Sequence, residues 1–251
     1  AEDIKKYVEG LGKPTPKIST YILDISSFAS IKSFTANIKS NFDHIDVLIN
    51  NAGIFLNPFS KTEQGFEVTL GTNGIGTAYL TNLLLPLVIK STEGRIVILS
   101  SAAINLLSSS TLNKAFEDIG GKNAKESNFE IYALSKYYNT AYAEIVQEKL
   151  IEKGINNVSV FSVHPGVVRS DIFNKAENSF TTFVFQSVFV PLLSIDVDTG
   201  ATSTLYAATS PNAIDHKGKM FDEGPVIKLF KTPSTYTLDS ARKIFDGINK
   251  E

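Results

Sequence analysis

Short apolar runs alternate along this chain with longer stretches whose apolar positions recur every three or four residues. Residues 21–25 (YILDI) form a short β-rich run. Ser26 or Ser27 then caps a predicted helix that places Phe28, Ile31, Phe34 and Ile38 on one face. Residues 45–49 predict a second strand, which ends in Asn50-Asn51-Ala52-Gly53. A helical pattern, Leu-rich in its second half, covers roughly residues 66–90. Residues 95–101 (RIVILSS) predict a third strand, apolar on both faces, and residues 128–149 a strong helix. Residues 158–163 predict a fourth strand, stopped by Pro165-Gly166, and residues 219–222 a short fifth.

Strands apolar on both faces and separated by helices predict a parallel sheet covered on each side. With right-handed crossovers the expected fold class is α/β, a doubly wound parallel sheet. In such sheets ligands gather beyond the carboxyl ends of the strands. Here those ends read Asp24, Asn50-Asn51-Ala52-Gly53, Ser100-Ser101 and His164-Pro165-Gly166, small or polar at every strand.

Composition narrows the classes. The 251 residues are 43% hydrophobic and 20% charged, enough for a sizeable core, and are read as one domain over 1–251. A net charge of −2, with Lys and Arg scattered, gives no nucleic-acid footprint. With no cysteine and three dispersed histidines (His44, His164, His216), no metal site is expected. The most apolar stretch, residues 180–195, is too short and interrupted to span a bilayer. It reads as a lid over an apolar substrate, a membrane-surface patch or a core segment. No signal or transit peptide opens the chain, which implies the cytoplasm, with membrane association as the alternative. Self-association is left open.

The chemistry centres on Tyr132-Ala133-Leu134-Ser135-Lys136. Tyr132 and Lys136 stand one helical turn apart, on one face. A phenol with an ordinary pKa near ~10 is a weak acid or base at neutral pH, and a fixed ammonium beside it favours the phenolate. A phenol so tuned can exchange a proton with a carbonyl or alcohol oxygen. Alone, Y-x-x-x-K also fits a solvated surface pair. Its place between a strand ending in Ser100-Ser101 and one ending in Pro165-Gly166 gives it weight.

At these motifs the chain resembles the short-chain dehydrogenase/reductase family. Asn50-Asn51-Ala52-Gly53 matches N-N-A-G, and Asn73-Gly74-Ile75-Gly76 matches N-x-x-G. Ser101, the Tyr132/Lys136 pair and the segment from Pro165 to Ser170 (PGVVRS) follow in the family's order. The polar insert at residues 106–128, Gly65-Phe66-Glu67 and HPGVVRS are similar to the retinol-dehydrogenase-like branch. The resemblance implies a Rossmann-like fold and catalytic roles for Tyr132, Lys136, Ser101 and Asn73. It implies cofactor contacts at Asp24, Asn51, Ala52, Gly53, Tyr132, Lys136, Pro165, Gly166, Val168 and Ser170. Tyr132 is the proton donor or acceptor, and Ser101 polarises the substrate oxygen. Lys136 tunes Tyr132 and holds the nicotinamide ribose, and Asn73 positions a relay water. The implied cofactor is NADP, with NAD the alternative, and the implied substrate is a small apolar alcohol, aldehyde or ketone. By bland readings, Asp24 only caps a helix, Ser100 packs, and His164 is structural.

One departure stands out. The family opens on a strand and a T-G-x-x-x-G-x-G turn that cradles pyrophosphate at a helix N-terminus. Residues before 19 do not match it; Gly10 and Gly12 follow no apolar strand. Gly71 to Gly76 is a decoy inside a helical pattern. Residue 1 is Ala and the sole Met is Met220, which fits trimming or truncation. The first β-α-β unit is therefore expected to be missing. Cofactor binding by the 251 residues is expected to be weak or absent, with a truncated, non-catalytic remnant that cannot bind cofactor as the alternative function. A sugar-nucleotide epimerase or dehydratase shares Y-x-x-x-K but needs a larger substrate domain than the chain after Gly166 provides.

Overall fold

The computed structural model describes residues 2–169, 194–223 and 227–250. Four strands form a parallel sheet in the order β1 (Val47–Asn50), β2 (Gly94–Leu99), β3 (Val158–Val163), β4 (Met220–Phe221). Asn50 pairs with Ile98, Leu99 with Val163, and Val163 with Phe221, so the carboxyl ends are nearly flush. The four predicted strands from residue 45 onward are all present, with ends moved by a few residues.

The period-two alternation divides the core between the two faces. Ile96, Ile98, Val158 and Val160 point to one face and join the large cluster around α5 (Asn128–Glu152). Val97, Phe161 and Val163 point to the other, against Ala207 and Ala208 of α6 (Val197–Thr209). Over β2 and β3 both faces are thus covered, as in a doubly wound sheet. A π-helical turn (Leu70–Gly76) runs into α3 (Thr77–Ile89), which packs on α2 (Phe28–Asn41) through Leu80, Leu84, Ile31 and Ile38. Ser27, one of the two predicted caps, accepts from the Ser30 N–H. A helix at the start, α1 (Glu2–Gly10), and α4 (Ser109–Glu117) were not predicted. Neither was α7 (Leu238–Ile248), which lays Ala241, Ile244 and Ile248 onto the α5 cluster.

Residues 21–25 correct an expectation, because they form no strand. Tyr21, Leu23 and Ile25 pack on the α2–α3 cluster, while Ile22 is 94% exposed. A strand exists only where a neighbour takes its backbone hydrogen bonds. Among the described residues nothing pairs with this run, nor with the outer edge of β1. Among the same residues no helix is long and apolar enough to cross a membrane.

Candidate active site

A cleft of about 760 Å³ opens at the carboxyl end of the sheet. Four predicted features meet there: the turn after β1, the end of β2, the α5 pair and the turn after β3. Asn51, Ala52, Gly53, Tyr132, Lys136, Pro165 and Val168 all line it.

Tyr132 and Lys136 owe their placement to how α5 starts. Ser127 caps the helix in a reciprocal capping box with Glu130, which fixes the first turn. The Lys136 Nζ then donates to the Leu99 carbonyl at 3.1 Å and lies 5.6 Å from the centre of the Tyr132 ring. Burial pushes the Lys136 amine down to about 8. Burial also pushes the Tyr132 phenol up to about 12, and the Ser101 hydroxyl beside it pulls only partly the other way. The loss of water on burial dominates the Tyr132 phenol, with the Ser101 hydroxyl pulling against it. The phenol is therefore held protonated.

Ser101 caps a 3₁₀ turn (Ala102–Leu106), accepting from the Ala103 N–H at 3.2 Å. Ser100 borders the cleft, but its hydroxyl is engaged in the interior, as its packing reading requires. It donates to the Lys136 carbonyl at 2.8 Å and contacts the Thr140 hydroxyl. His164 is buried, with burial lowering its pKa, and its Nδ1 accepts from the Gly166 N–H.

Asn73 sits inside the π-helical turn and clasps the loop after β1. Its Oδ1 accepts from the Ile54 N–H at 2.8 Å, while its Nδ2 donates to the Ile54 carbonyl and to the Ser135 hydroxyl. A Cβ added at Gly53 would lie 3.1 Å from the Asn73 Oδ1 and 3.6 Å from the Lys136 Nζ. Only glycine leaves that space open. The glycines of the decoy are explained by packing alone. A Cβ at Gly71 would reach Thr62, at Gly74 Tyr138, and at Gly76 the Ile25 carbonyl at 2.1 Å.

The turn after β3 has Gly166 at φ +85°, a left-handed conformation. Val168 pairs with Ile195, and its side chain rests against Gly200 of α6, where a Cβ would clash at 2.3 Å. Asp24 stands apart from the cleft, and its carboxylate accepts from the Ser26 N–H and hydroxyl. That contact orders the turn before α2, whose cap is Ser27 rather than Asp24. Ser170 and nearly all of the apolar stretch 180–195 lie outside the described residues.

Sequence reasoning missed several residues of the cleft, Phe55 and Asn57 among them. Phe55 meets the Tyr132 ring edge-on at 4.6 Å between centroids, and Asn57 lines the same wall. Nothing in their spacing signals this. Among the described residues no group of metal-ligating side chains occurs.

The cleft at the carboxyl edge of this parallel α/β sheet thus brings Tyr132 and Lys136 together, and comparison with known proteins identifies the family. The short chain dehydrogenase profile matches residues 1–110. The chain is 33% identical over 240 residues to the short-chain dehydrogenase TIC 32 A, chloroplastic, of Brassica napus, covering 93% of this chain and 72% of that protein. It is 33% identical over 225 residues to retinol dehydrogenase 14 of Homo sapiens, covering 89% of this chain and 63% of that one. Its fold matches a solved but uncharacterised protein from Mycobacterium paratuberculosis with TM-score 0.67 at 24% identity, covering 98% of this chain and 81% of that one. It matches a short chain dehydrogenase from Escherichia coli CFT073 complexed with NADPH with TM-score 0.60 at 19% identity, covering 89% and 81%. The chain belongs to the short-chain dehydrogenase family, an oxidoreductase family. Within it, the similarity lies with the retinol-dehydrogenase-like branch.

Proposed function

We propose that the protein interconverts a small apolar alcohol and its aldehyde or ketone, using NADP(H), with NAD(H) the alternative. The observation that carries this reading is the convergence of Tyr132, Lys136 and Gly53 on one cleft, with Ser101 hydrogen-bonded to the Tyr132 phenol and Asn73 clasping the cleft wall. Similarity to retinol dehydrogenases, and the NADPH held by one structural neighbour, support the substrate class and the cofactor.

The nicotinamide dinucleotide would supply or take the hydride. The open space at Gly53 fits its ribose end, with Lys136 on one side and the Pro165–Val168 turn on the other. The chain's own groups handle the proton. Tyr132, kept protonated by burial, gives its proton to the carbonyl oxygen as that oxygen gains charge, and Ser101 donates to the same oxygen. Lys136 holds ribose hydroxyls and supplies the charge that steadies the Tyr132 oxygen afterwards. Asn73 is a positioning residue, keeping the Gly53–Ile54 backbone where the ribose passes. Apolar walls from Ile54, Phe55, Leu99, Val168 and Leu205 exclude water and suit an alkyl substrate.

The test is oxidation of NADPH and of NADH by the purified protein with aldehydes and ketones of rising chain length. Where the dinucleotide binds, turnover is expected, with kcat/KM gaining ~0.8 kcal/mol per buried CH₂. Substrate-independent rates with both cofactors would remove the reading.

A further inference from the structure

Two side chains meet on one backbone carbonyl at the end of β2. The Leu99 oxygen accepts from the Lys136 Nζ at 3.1 Å and from the Asn139 Nδ2 at 2.9 Å. In a parallel sheet the N–H and C=O of one residue face the same neighbouring strand. The Arg95 N–H donates to the Asp46 carbonyl, so the odd-numbered residues of β2 face β1. β1 ends at Asn50, and among the described residues no backbone N–H beyond it reaches the Leu99 carbonyl. The rung that β1 leaves unmade is made by side chains of α5.

The two donors are not equivalent. Lys136 and Asn139 stand three residues apart on α5, hence on one face. Lys136 lines the cleft, whereas Asn139 is buried and does not. A carbonyl oxygen only accepts and has two lone pairs, so the Asn139 amide turns its NH₂ end to Leu99 and leaves one pair for Lys136. With Lys136 as the sole donor, turning its N–H groups toward a ligand would orphan a buried carbonyl, which costs stability. With Asn139 in place, that carbonyl stays satisfied whichever way Lys136 turns. Two donors on one oxygen also weaken each other's hold on it.

We infer that Asn139 is a positioning residue for Lys136: it keeps the Leu99 carbonyl satisfied and so frees the lysine N–H groups to turn to hydroxyl groups of a ligand in the cleft. This rests on the alcohol/carbonyl reading above and adds to it a residue that acts only through another.

The experiment uses the purified full chain and three readouts, of which two need no cofactor. Asn139→Leu keeps the branched shape and removes the donor. The first readout is a double-mutant cycle with Lys136→Met in urea denaturation at pH 7. Lys136→Met alone leaves the carbonyl to Asn139, but in the Asn139→Leu background it leaves no donor. The double variant should therefore lose about tenfold more in its folding equilibrium constant than the single effects predict, the size of one orphaned carbonyl. Asn139→Ala repeats the cycle and should show the same coupling even if Asn139→Leu fails to fold. The second readout is the Lys136 amine, followed by ¹³Cε-lysine NMR and assigned by its loss in Lys136→Met. It sits at about 8 in the parent and should titrate higher without Asn139, since the carbonyl then serves the ammonium alone. An Asn139 that only fills space would not move it upward. The third readout is NADPH affinity by calorimetry, which should weaken about fivefold in the Asn139 variants. Additive effects in the cycle would overturn the proposal, as would a Lys136 titration that stays in place or an NADPH affinity equal to the parent's. Coupling and a raised titration in a chain that binds no NADPH would keep the hold of Asn139 on Lys136 and remove the alcohol/carbonyl reading.

Discussion

β1 and β2 are neighbours in one parallel sheet, yet they are treated differently. β2 is sealed between helices from Gly94 to Ile98, with Ile96, Val97 and Ile98 all at 0% exposure. β1 leaves Val47 40% and Ile49 42% exposed. The same contrast continues past the strand ends. The β2 side leads to Ser100 and Ser101 and, through the Leu99 carbonyl, to Lys136 and Asn139, a fully hydrogen-bonded wall. The β1 side leads to a loop held at one clasp, Asn73, and ending in the unsatisfied Asn57. Under the proposed function, proton chemistry falls on the hydrogen-bonded wall, as expected when reacting groups need fixed geometry.

Four experiments probe this division. The largest effect is expected on the rigid wall. Tyr132→Phe should lower kcat by ~10²–10⁴-fold, the usual contribution of a positioned acid, with the fold intact. A variant keeping more than a tenth of the parental kcat in steady-state assays would move the proton donor elsewhere. Next, Ile98→Ala on β2 should cost about 2–5 kcal/mol in chemical denaturation, whereas Ile49→Ala should cost under about 1 kcal/mol. Equal losses would erase the contrast between the strands.

Lys136 gives the third test, and its sign runs against intuition. Its amine sits at about 8 in the fold against 10.5 when free. The folded state therefore bears a burial penalty that is complete below about pH 8 and fades as pH climbs toward 10.5. Lys136→Met should be inactive yet more stable than the parent at pH 7, by up to about 3 kcal/mol. That advantage should shrink through pH 8 to 10.5. Asn139 still satisfies the Leu99 carbonyl in the variant. A thermal-melt series showing no gain at pH 7 would mean the charge is better solvated than its burial implies. The smallest effect is expected of Gly53→Ala. Its new Cβ must displace the Asn73 Oδ1 by a few tenths of an ångström, and turnover should fall about tenfold with Tm nearly unchanged. An unaltered kcat would show that the clasp tolerates slack.

The sheet was legible where burial is symmetric. RIVIL and VSVFSV carry apolar side chains to both faces, so β2 and β3 could be read without knowing their neighbours. Residues 21–25 look equally strand-like, but strand propensity needs a partner ladder and none borders them among the described residues. α6 was illegible because Gly, Ala, Ser and Thr dominate it. Its role is to let Val168 approach at Gly200, which no hydropathy pattern displays. α7 could have been found, since Ala241, Ile244 and Ile248 recur at helical spacing behind Thr237. The placement of Tyr132, Lys136, Ser101 and Asn73 was legible through motif order. The protonation of Tyr132 and Lys136 was not, since it depends on how much water the folded cleft removes. Phe55 and Asn57 had no signature, because their positions follow from the turn at Leu56.

The π-helical turn from Leu70 to Gly76 has one further consequence, for how the chain tolerates changes in length. A π turn holds one residue more than an α turn, and each residue rotates a helix by about 100°. Deleting a single residue there would tighten the turn to α geometry and swing Asn73 off Ile54, although α3 downstream would keep its core face. Surface loops such as the one around Gly154 can gain or lose residues with local effect only. Here a change of one residue acts as a quarter-turn of a key, and the reading frame of the candidate site is set by the length of a segment that does not itself line the cleft.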